Sequence, residues 1–268
     1  MTQPINIALV GASGVVGTKI MQLLEKKAFP INNFYPLGSS SVGQVVTLNG
    51  TEHSIDDTSN FDASLADLTI LAAGSSVAES YAKDFVAAGS YVIDLSSHFR
   101  YEDDVPLIIP QVNPEAINTL KKNIIANPNC STAQLVIVLK PLHDEFNIKR
   151  VVISTYQSVS GGGKAPMDEL IEQTKLSLDK KKINSKNFTK QIAFNAIPHI
   201  DVFADDGYTK EELKMVNETK KILDDRIELT ATCVRIPVLV SHAESVNIEF
   251  EKPFSLEKIN SLLDVAEG

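Results

Sequence analysis

Tryptophan is absent from the 268 residues, and cysteine nearly so, with Cys130 and Cys233 the only two. The missing tryptophan excludes nothing. Two cysteines cannot build a disulfide framework in a chain of this length, which points to a reducing compartment. Basic residues are in the minority, 25 Lys and Arg against 34 Asp and Glu, giving a net charge of −9. That balance excludes a general binder of phosphate backbones, and no nucleic-acid partner is expected. A small anionic substrate stays open, since a few cations suffice to line one pocket. No apolar run approaches the roughly 18 residues of a membrane span, so no membrane partner is expected either. The opening Met1-Thr-Gln-Pro-Ile-Asn6 lacks the basic region and apolar core of a secretory leader. Cytoplasm is the expected location. There is no internal repeat and no low-complexity stretch, and no metal is expected.

What is present is an ordinary hydrophobic fraction of 43%, enough for a real core. Ile5-Asn-Ile-Ala-Leu-Val10 leads into Gly11-Ala-Ser-Gly-Val-Val-Gly17, and Ile20, Leu23 and Leu24 follow at helical spacing. Short apolar runs recur at Leu68–Ala73, Tyr91–Leu95 and Ile124–Ala126, bounded by Gly, Ser, Asn or Pro, with helix-like sequence such as Val77–Ala88 between them. Runs without alternation suit strands buried on both faces of a parallel sheet. Residues 1–127 therefore read as a doubly wound α/β domain. Residues 128–268 read as a second, α+β domain. Helices are expected over Thr132–Phe146, Ala165–Leu178 and Thr209–Leu223, with a last one capped by Ser255; strands are expected over Lys149–Ser158, Ile227–Val240 and Ser245–Phe250. Gly161-Gly-Gly163 reads as a flexible turn.

Gly11, Gly14 and Gly17 fit G-x-x-G-x-x-G between a strand and a helix. Such a turn lets a pyrophosphate sit on the helix N-terminus; glycines that merely end a strand are the bland alternative. NAD sites place an acid about 20 residues further on, against the ribose hydroxyls. Between Gly17 and Gly50 the only acid is Glu25, inside the helix. The serine-rich turn Gly38–Gly43 offers hydroxyls and amides to a 2′-phosphate instead, which favours NADP with NAD possible.

Cys130 lies in Asn127-Pro-Asn-Cys-Ser-Thr132, just ahead of a helix. A thiol there feels the positive end of the helix dipole, which lowers its pKa and suits attack on a carbonyl. A lone cysteine is otherwise most often structural. Cys233, in the apolar run Thr232-Cys-Val-Arg-Ile-Pro237, fits that role better. Thiol attack on an aldehyde needs a base. His143 reads as a surface residue and His53 as part of a polar loop. His242 ends Arg235-Ile-Pro-Val-Leu-Val-Ser-His242, seven residues from a cation. In one regular strand that odd spacing sends Arg235 and His242 to opposite faces, so a bend near Pro237 or Ser241 is required.

Six segments together resemble the aspartate-β-semialdehyde dehydrogenase family. They are the glycine turn, Asn127–Thr132, Tyr156-Gln-Ser-Val-Ser-Gly-Gly-Gly-Lys164, Asn195-Ala-Ile-Pro-His-Ile-Asp201, Glu211-Glu-Leu-Lys-Met215 and Arg235–Glu244. They stand in that family's order and cover nearly the whole chain. The resemblance implies a Rossmann-type cofactor domain and a second domain for catalysis and oligomerisation. The implied reaction is the reversible NADP-dependent reductive dephosphorylation of β-aspartyl phosphate to aspartate semialdehyde and phosphate. That reaction serves the biosynthesis of the aspartate-derived amino acids. By resemblance, Cys130 is the nucleophile that carries the acyl thioester, His242 the acid/base, and Gln157 the residue that positions the substrate or thioester. Arg235 binds the substrate α-carboxylate, and Arg100, Asn129 and Lys214 bind phosphate, with Glu211 positioning Lys214. The implied cofactor contacts are Gly11, Ser13, Gly14, Val15, Val16, Gly17, Ser39, Ser40, Gly74, Ser160 and Gly161. A homodimer or homotetramer formed through the second domain is implied as well.

Two departures stand out. Many family members read the 2′-phosphate with an Arg in the serine-rich turn, and Gly38–Gly43 has none. Members also continue for some tens of residues past the point corresponding to Gly268, with a further strand region and a C-terminal helix, so the second domain is expected to be incomplete. The alternatives are a related N-acetyl-glutamyl-phosphate reductase and a non-catalytic relative.

Overall fold

The computed structural model describes residues 3–268. They form two compact units. One comprises the chain up to Ile108 with Pro114–Pro128; the other comprises Ile109–Asn113 with Asn129–Gly268.

The first unit opens with β1 (Ile5–Val10), α1 (Val15–Lys26) and β2 (Ile31–Gly38). The hairpin β3 (Val45–Leu48) and β4 (Thr51–Ser54) and the short β5 (Asp56–Asp57) follow, then β6 (Leu68–Leu71), α2 (Ser75–Ala87), β7 (Tyr91–Asp94) and β8 (Ile124–Ala126). Six strands align in the order β5-β2-β1-β6-β7-β8, all parallel. Ile7, Ala8, Leu9 and Val10 are consecutive and all buried, as a strand covered on both faces requires. From β1 the chain goes to β2 on one side and later to β6 on the other. That reversal opens a crevice at the carboxyl ends of β1 and β6, the usual ligand position in such sheets. His53, expected in a loop, lies on β4 with its ring edge against Phe34, because the polar stretch around it folds into a hairpin.

The second unit contains α3 (Cys130–Phe146), β9 (Ile148–Gln157), α4 (Lys164–Leu178), α5 (Lys210–Ile222), β10 (Glu228–Arg235), β11 (His242–Phe250) and α6 (Leu256–Val265). Its sheet has the order β10-β9-β11, with β10 parallel and β11 antiparallel to β9. Leu135 and Leu139 of α3, Met215 of α5, Val151 and Ile153 of β9, and Leu229, Ala231 and Cys233 of β10 share one core. Cys233 packs its sulfur 3.9 Å from that of Met215, and desolvation by burial pushes its thiol up to about 12. It is a core residue.

Four local expectations need correction. The helix expected from Thr132 starts at Cys130, because the Asn129 side chain caps it by accepting from the amides of Ser131 and Thr132. The strand expected to run to Val240 stops at Arg235. Pro237 has no N–H for a ladder, and Ser241 turns the chain with φ +83°. Between them, residues 236–241 cross the end of β9: Val159 and Ser160 donate to Val238 and Leu239, and Ser158 donates to Ser241. The chain then returns as β11 on the far side of β9, so His242 opens a strand rather than ending one. The turn expected at Gly161–Gly163 is a short 3-10 helix, Val159–Gly162, that hands over directly to α4. Finally, His143 is half-buried rather than a surface residue. Its Nδ1 accepts from the Ile148 amide and its Nε2 lies 3.4 Å from Asp224, which ties the end of α3 to the start of β9. Among the described residues no helix is long and apolar enough to cross a membrane.

The glycine turn is packed against its own helix. A Cβ on Gly17 would lie 2.3 Å from the Gly11 carbonyl oxygen, closer than any real contact. Gly17→Ala is therefore expected to cost about 1–3 kcal/mol, the usual range for overpacking. Chemical denaturation followed by circular dichroism measures it, and a wild-type midpoint would contradict the tight packing.

Candidate active site

In the first unit the crevice is a cavity of about 270 Å³ lined by Gly11, Ser13, Gly14, Gly38, Ser39, Ser40, Ser41, Thr58, Ala72, Ala73 and others. Gly11 has φ +87°, and a Cβ there would lie 2.8 Å from the Ala72 carbonyl oxygen, so β1 and β6 approach closely enough only with glycine. No side chain caps α1 at Gly14 or α2 at Gly74. The opening amides of both helices, including those of Val15, Val16 and Gly17 in α1, are thus left for an anion. Smooth backbone, uncapped helix starts and a hydroxyl-lined end fit a dinucleotide. Two acids that the chain order hides are brought alongside through β5: Asp56, opposite Leu37, and Asp57, opposite Gly38. The Asp57 carboxylate is already engaged by the amide and hydroxyl of Ser59, at 2.9 and 2.8 Å. Arg100 belongs to this unit as well. It is buried, and its guanidinium donates to the carbonyls of Asn127 and Leu95.

In the second unit the strand register assembles the chemistry. Gln157 ends β9, with Arg235 of β10 opposite it on one side and His242 of β11 opposite it on the other. Directly opposed residues share a face, so these three side chains form one row across the sheet. The crossing of residues 236–241 removes the odd-spacing conflict between Arg235 and His242. Above the row runs the Val159–Gly162 turn. A Cβ on Gly161 would lie 3.2 Å from Arg235 Nη1 and 3.7 Å from His242 Nε2. Ser160, the other turn residue expected at the cofactor, bonds its hydroxyl to that of Ser158. Ser158 serves both neighbours: its amide donates to His242 Nδ1 at 3.0 Å, and its carbonyl accepts from Arg235 at 2.5 Å.

Glu211 of α5 completes the set. Its Oε1 accepts from Gln157 Nε2 at 3.0 Å and from Asn129 Nδ2 at 2.9 Å, and its Oε2 is 3.0 Å from Lys214 Nζ. Lys214 is also 3.0 Å from Asp201. Burial alone would raise the Glu211 carboxyl, but Lys214 and the bonds from Gln157 and Asn129 outweigh it and hold it below the usual carboxylate range. Burial likewise opposes charge on Lys214, and its two carboxylate partners overcome it. His242 is held below the usual imidazole range, first by desolvation and then by Arg235.

Cys130 is exposed at the start of α3. The expectation of a lowered thiol is not met. Desolvation by the surrounding protein and then the Glu211 carboxylate push it up, and the bonds from Ser131 and the charge of Arg235 do not compensate. Desolvation is the largest cause, and the buried Glu211 carboxylate at the same helix end adds to it. The sequence reading also passed over Asp201, Ser158, Glu212 and Glu218. Glu212 caps its own helix with Thr209 and accepts from the Cys233 amide, while Glu218 accepts from the Asn129 amide. Acids on one helix that aim inward were the available signal, at Glu211 and, seven residues on, Glu218.

Comparison with known proteins now decides the family. A family model described as the semialdehyde dehydrogenase NAD binding domain matches residues 6–120, and one described as the semialdehyde dehydrogenase dimerisation domain matches 139–268. A relative named aspartate-semialdehyde dehydrogenase from Legionella pneumophila is 46% identical, covering 100% of this chain and 78% of its own length. The chain belongs to the aspartate-semialdehyde dehydrogenase family. A relative of the same name from Campylobacter jejuni is 48% identical over 99% of this chain and 79% of its own. Among solved structures, aspartate semialdehyde dehydrogenase II from Vibrio cholerae complexed with ASA superposes with TM-score 0.98 at 43% identity, covering 100% of this chain and 80% of that one. A Candida albicans structure with NADP gives 0.73 at 26% identity, covering 99% and 77%. Family membership makes this protein an oxidoreductase with an NAD(P)-binding domain, a dimerisation domain and small-molecule substrates.

The electrostatics of this family member lead to a direct measurement. Alkylation of Cys130 by iodoacetamide should rise through neutral into alkaline pH, with a midpoint above that of a free cysteine. Glu211→Gln removes one cause of the upward shift, so Cys130 should react faster at pH 7. A rate in the variant equal to or below wild type would contradict the assigned cause.

Proposed function

We propose that this aspartate-semialdehyde dehydrogenase family member reduces β-aspartyl phosphate to aspartate semialdehyde with NADPH, through a thioester on Cys130. The observation that carries the reading is the row Arg235–Gln157–His242 and its connection, through Glu211, to Asn129 beside the cysteine.

Cys130 as thiolate attacks the acyl carbon, and inorganic phosphate departs. Lys214 and Asn129, one cationic and one an amide donor, suit that anion. Arg100 joins them in the proposal: it holds the carbonyl of Asn127, three residues before the cysteine. Gln157 positions the acyl group, and Arg235 binds the α-carboxylate with its planar fork of donors. When bound, NADPH supplies the hydride that takes the thioester carbon to the hemithioacetal level. Because His242 Nδ1 accepts an amide N–H, the neutral ring carries its proton on Nε2, the atom nearest the Gly161 turn. His242 is thereby set to donate a hydrogen bond from Nε2 to the new oxyanion, which re-forms the carbonyl as the Cys130 thiolate leaves. The lowered imidazole keeps it in this neutral form at pH 7.

For the cofactor, we assign Gly11, Ser13, Gly14, Val15, Val16, Gly17 and Gly74 to the pyrophosphate side, Ser39 and Ser40 to the ribose 2′-phosphate, and Ser160 and Gly161 to the nicotinamide side. The hydroxyls of Ser39 and Ser40 that line the cavity beside Gly38 support NADP over NAD. A homodimer fits the outer face of the second sheet, where Val152 and Tyr156 of β9 are exposed.

Phosphate-dependent NADPH formation from aspartate semialdehyde is the assay. Cys130→Ala should fall to background. Arg235→Lys should raise the semialdehyde KM roughly 10- to 100-fold, the equivalent of one charged hydrogen bond. Turnover of N-acetylglutamate semialdehyde alone, or tighter binding of NAD than NADP, would contradict the reading.

A further inference from the structure

We propose that Glu218 is a positioning residue for the nucleophile: its carboxylate fixes the Asn129–Cys130 turn from outside helix α3. This rests on the reading of Cys130 as nucleophile. Asn129 is the cap of α3, and its side chain is held from two sides. Its Oδ1 accepts from Ser131 and Thr132, and its Nδ2 donates to Glu211. The backbone amide of Asn129 donates to Glu218 Oε2 at 2.6 Å. Glu218 has 0% exposure, so this is a carboxylate taken out of water to meet a main-chain donor 89 residues away.

The geometry gives the contact a defined task. Glu211 and Glu218 lie seven residues apart, two turns of α5, and project from one face. Glu211 grips the Asn129 side chain and Glu218 grips its amide. Two bonds from one rigid helix fix both the rotation and the height of the residue that precedes Cys130. The same helix carries Lys214, so the anion-binding side chain and the cysteine are set in place by a single element. Glu218 touches no reacting atom in this scheme, and its effect reaches the sulfur through Asn129.

What holds the turn is the reach of the acceptor oxygen rather than its charge, and two variants separate these. Glu218→Gln keeps an oxygen at the same distance and loses the charge. Glu218→Asp keeps the charge and withdraws the oxygen by one methylene. Expected for Gln is a kcat within about threefold of wild type. Expected for Asp is a kcat lower by about 100-fold, the scale on which a misplacement of about 1 Å acts, with the semialdehyde KM within about twofold. The rate of Cys130 alkylation, read by mass spectrometry of the peptide, should fall in Asp and not in Gln. An active Asp variant with an inactive Gln variant, or wild-type kcat and alkylation in both, would overturn the proposal. Activity in Cys130→Ala would overturn the nucleophile reading instead, whatever the Glu218 variants do.

Discussion

Glu211 presents one carboxylate to three partners that come from three parts of the chain: Gln157 at the end of β9, Asn129 at the start of α3, and Lys214 one turn along α5. A buried carboxylate is costly unless each lone pair is met. Here each partner that meets it is also a candidate participant in the chemistry. The requirement to satisfy Glu211 and the requirement to assemble the site are therefore the same requirement. The charge also has a cost for function. It adds to the desolvation that raises the thiol next to it.

The second constraint is topological. A sheet in which β10 and β11 flank β9 can bring their ends together only if the chain crosses the end of β9. Residues 236–241 make that crossing, and their hydrogen bonds to Ser158, Val159 and Ser160 lock the turn that lies over Arg235 and His242. Ser158 then acts on both sides, accepting from the cation and donating to the imidazole. The neutral tautomer of His242 follows from that backbone contact, so the hydrogen on Nε2 is set by the strand connection.

Much of this was legible in the residues. The unbroken apolar run at Ile5–Val10 and the glycines after it specify a buried strand, a tight turn and a helix, because no other local conformation satisfies both patterns. The bend between Arg235 and His242 could be required from spacing, and Pro237 and Ser241 supply it. Other features depend on contacts distant in sequence. Nothing near Cys130 announces that a carboxylate from α5 will raise its thiol. Nothing near Asp57 announces that a two-residue strand will bring it beside Gly38, or that Ser59 will then occupy it. His143 reads as a surface residue until the Ile148 amide and Asp224 meet its two ring nitrogens. Helix α5 reads in the sequence only as a charged helix. Its inward acids became meaningful only when their partners, Asn129 and Gln157, were in place.

The most direct measurement of the central claim is mass spectrometry of the protein incubated with β-aspartyl phosphate and no reductant. The expected result is one β-aspartyl group on the peptide that carries Cys130, released by hydroxylamine as a thioester is. Acylation of another residue, or turnover with no covalent species on Cys130, would contradict it.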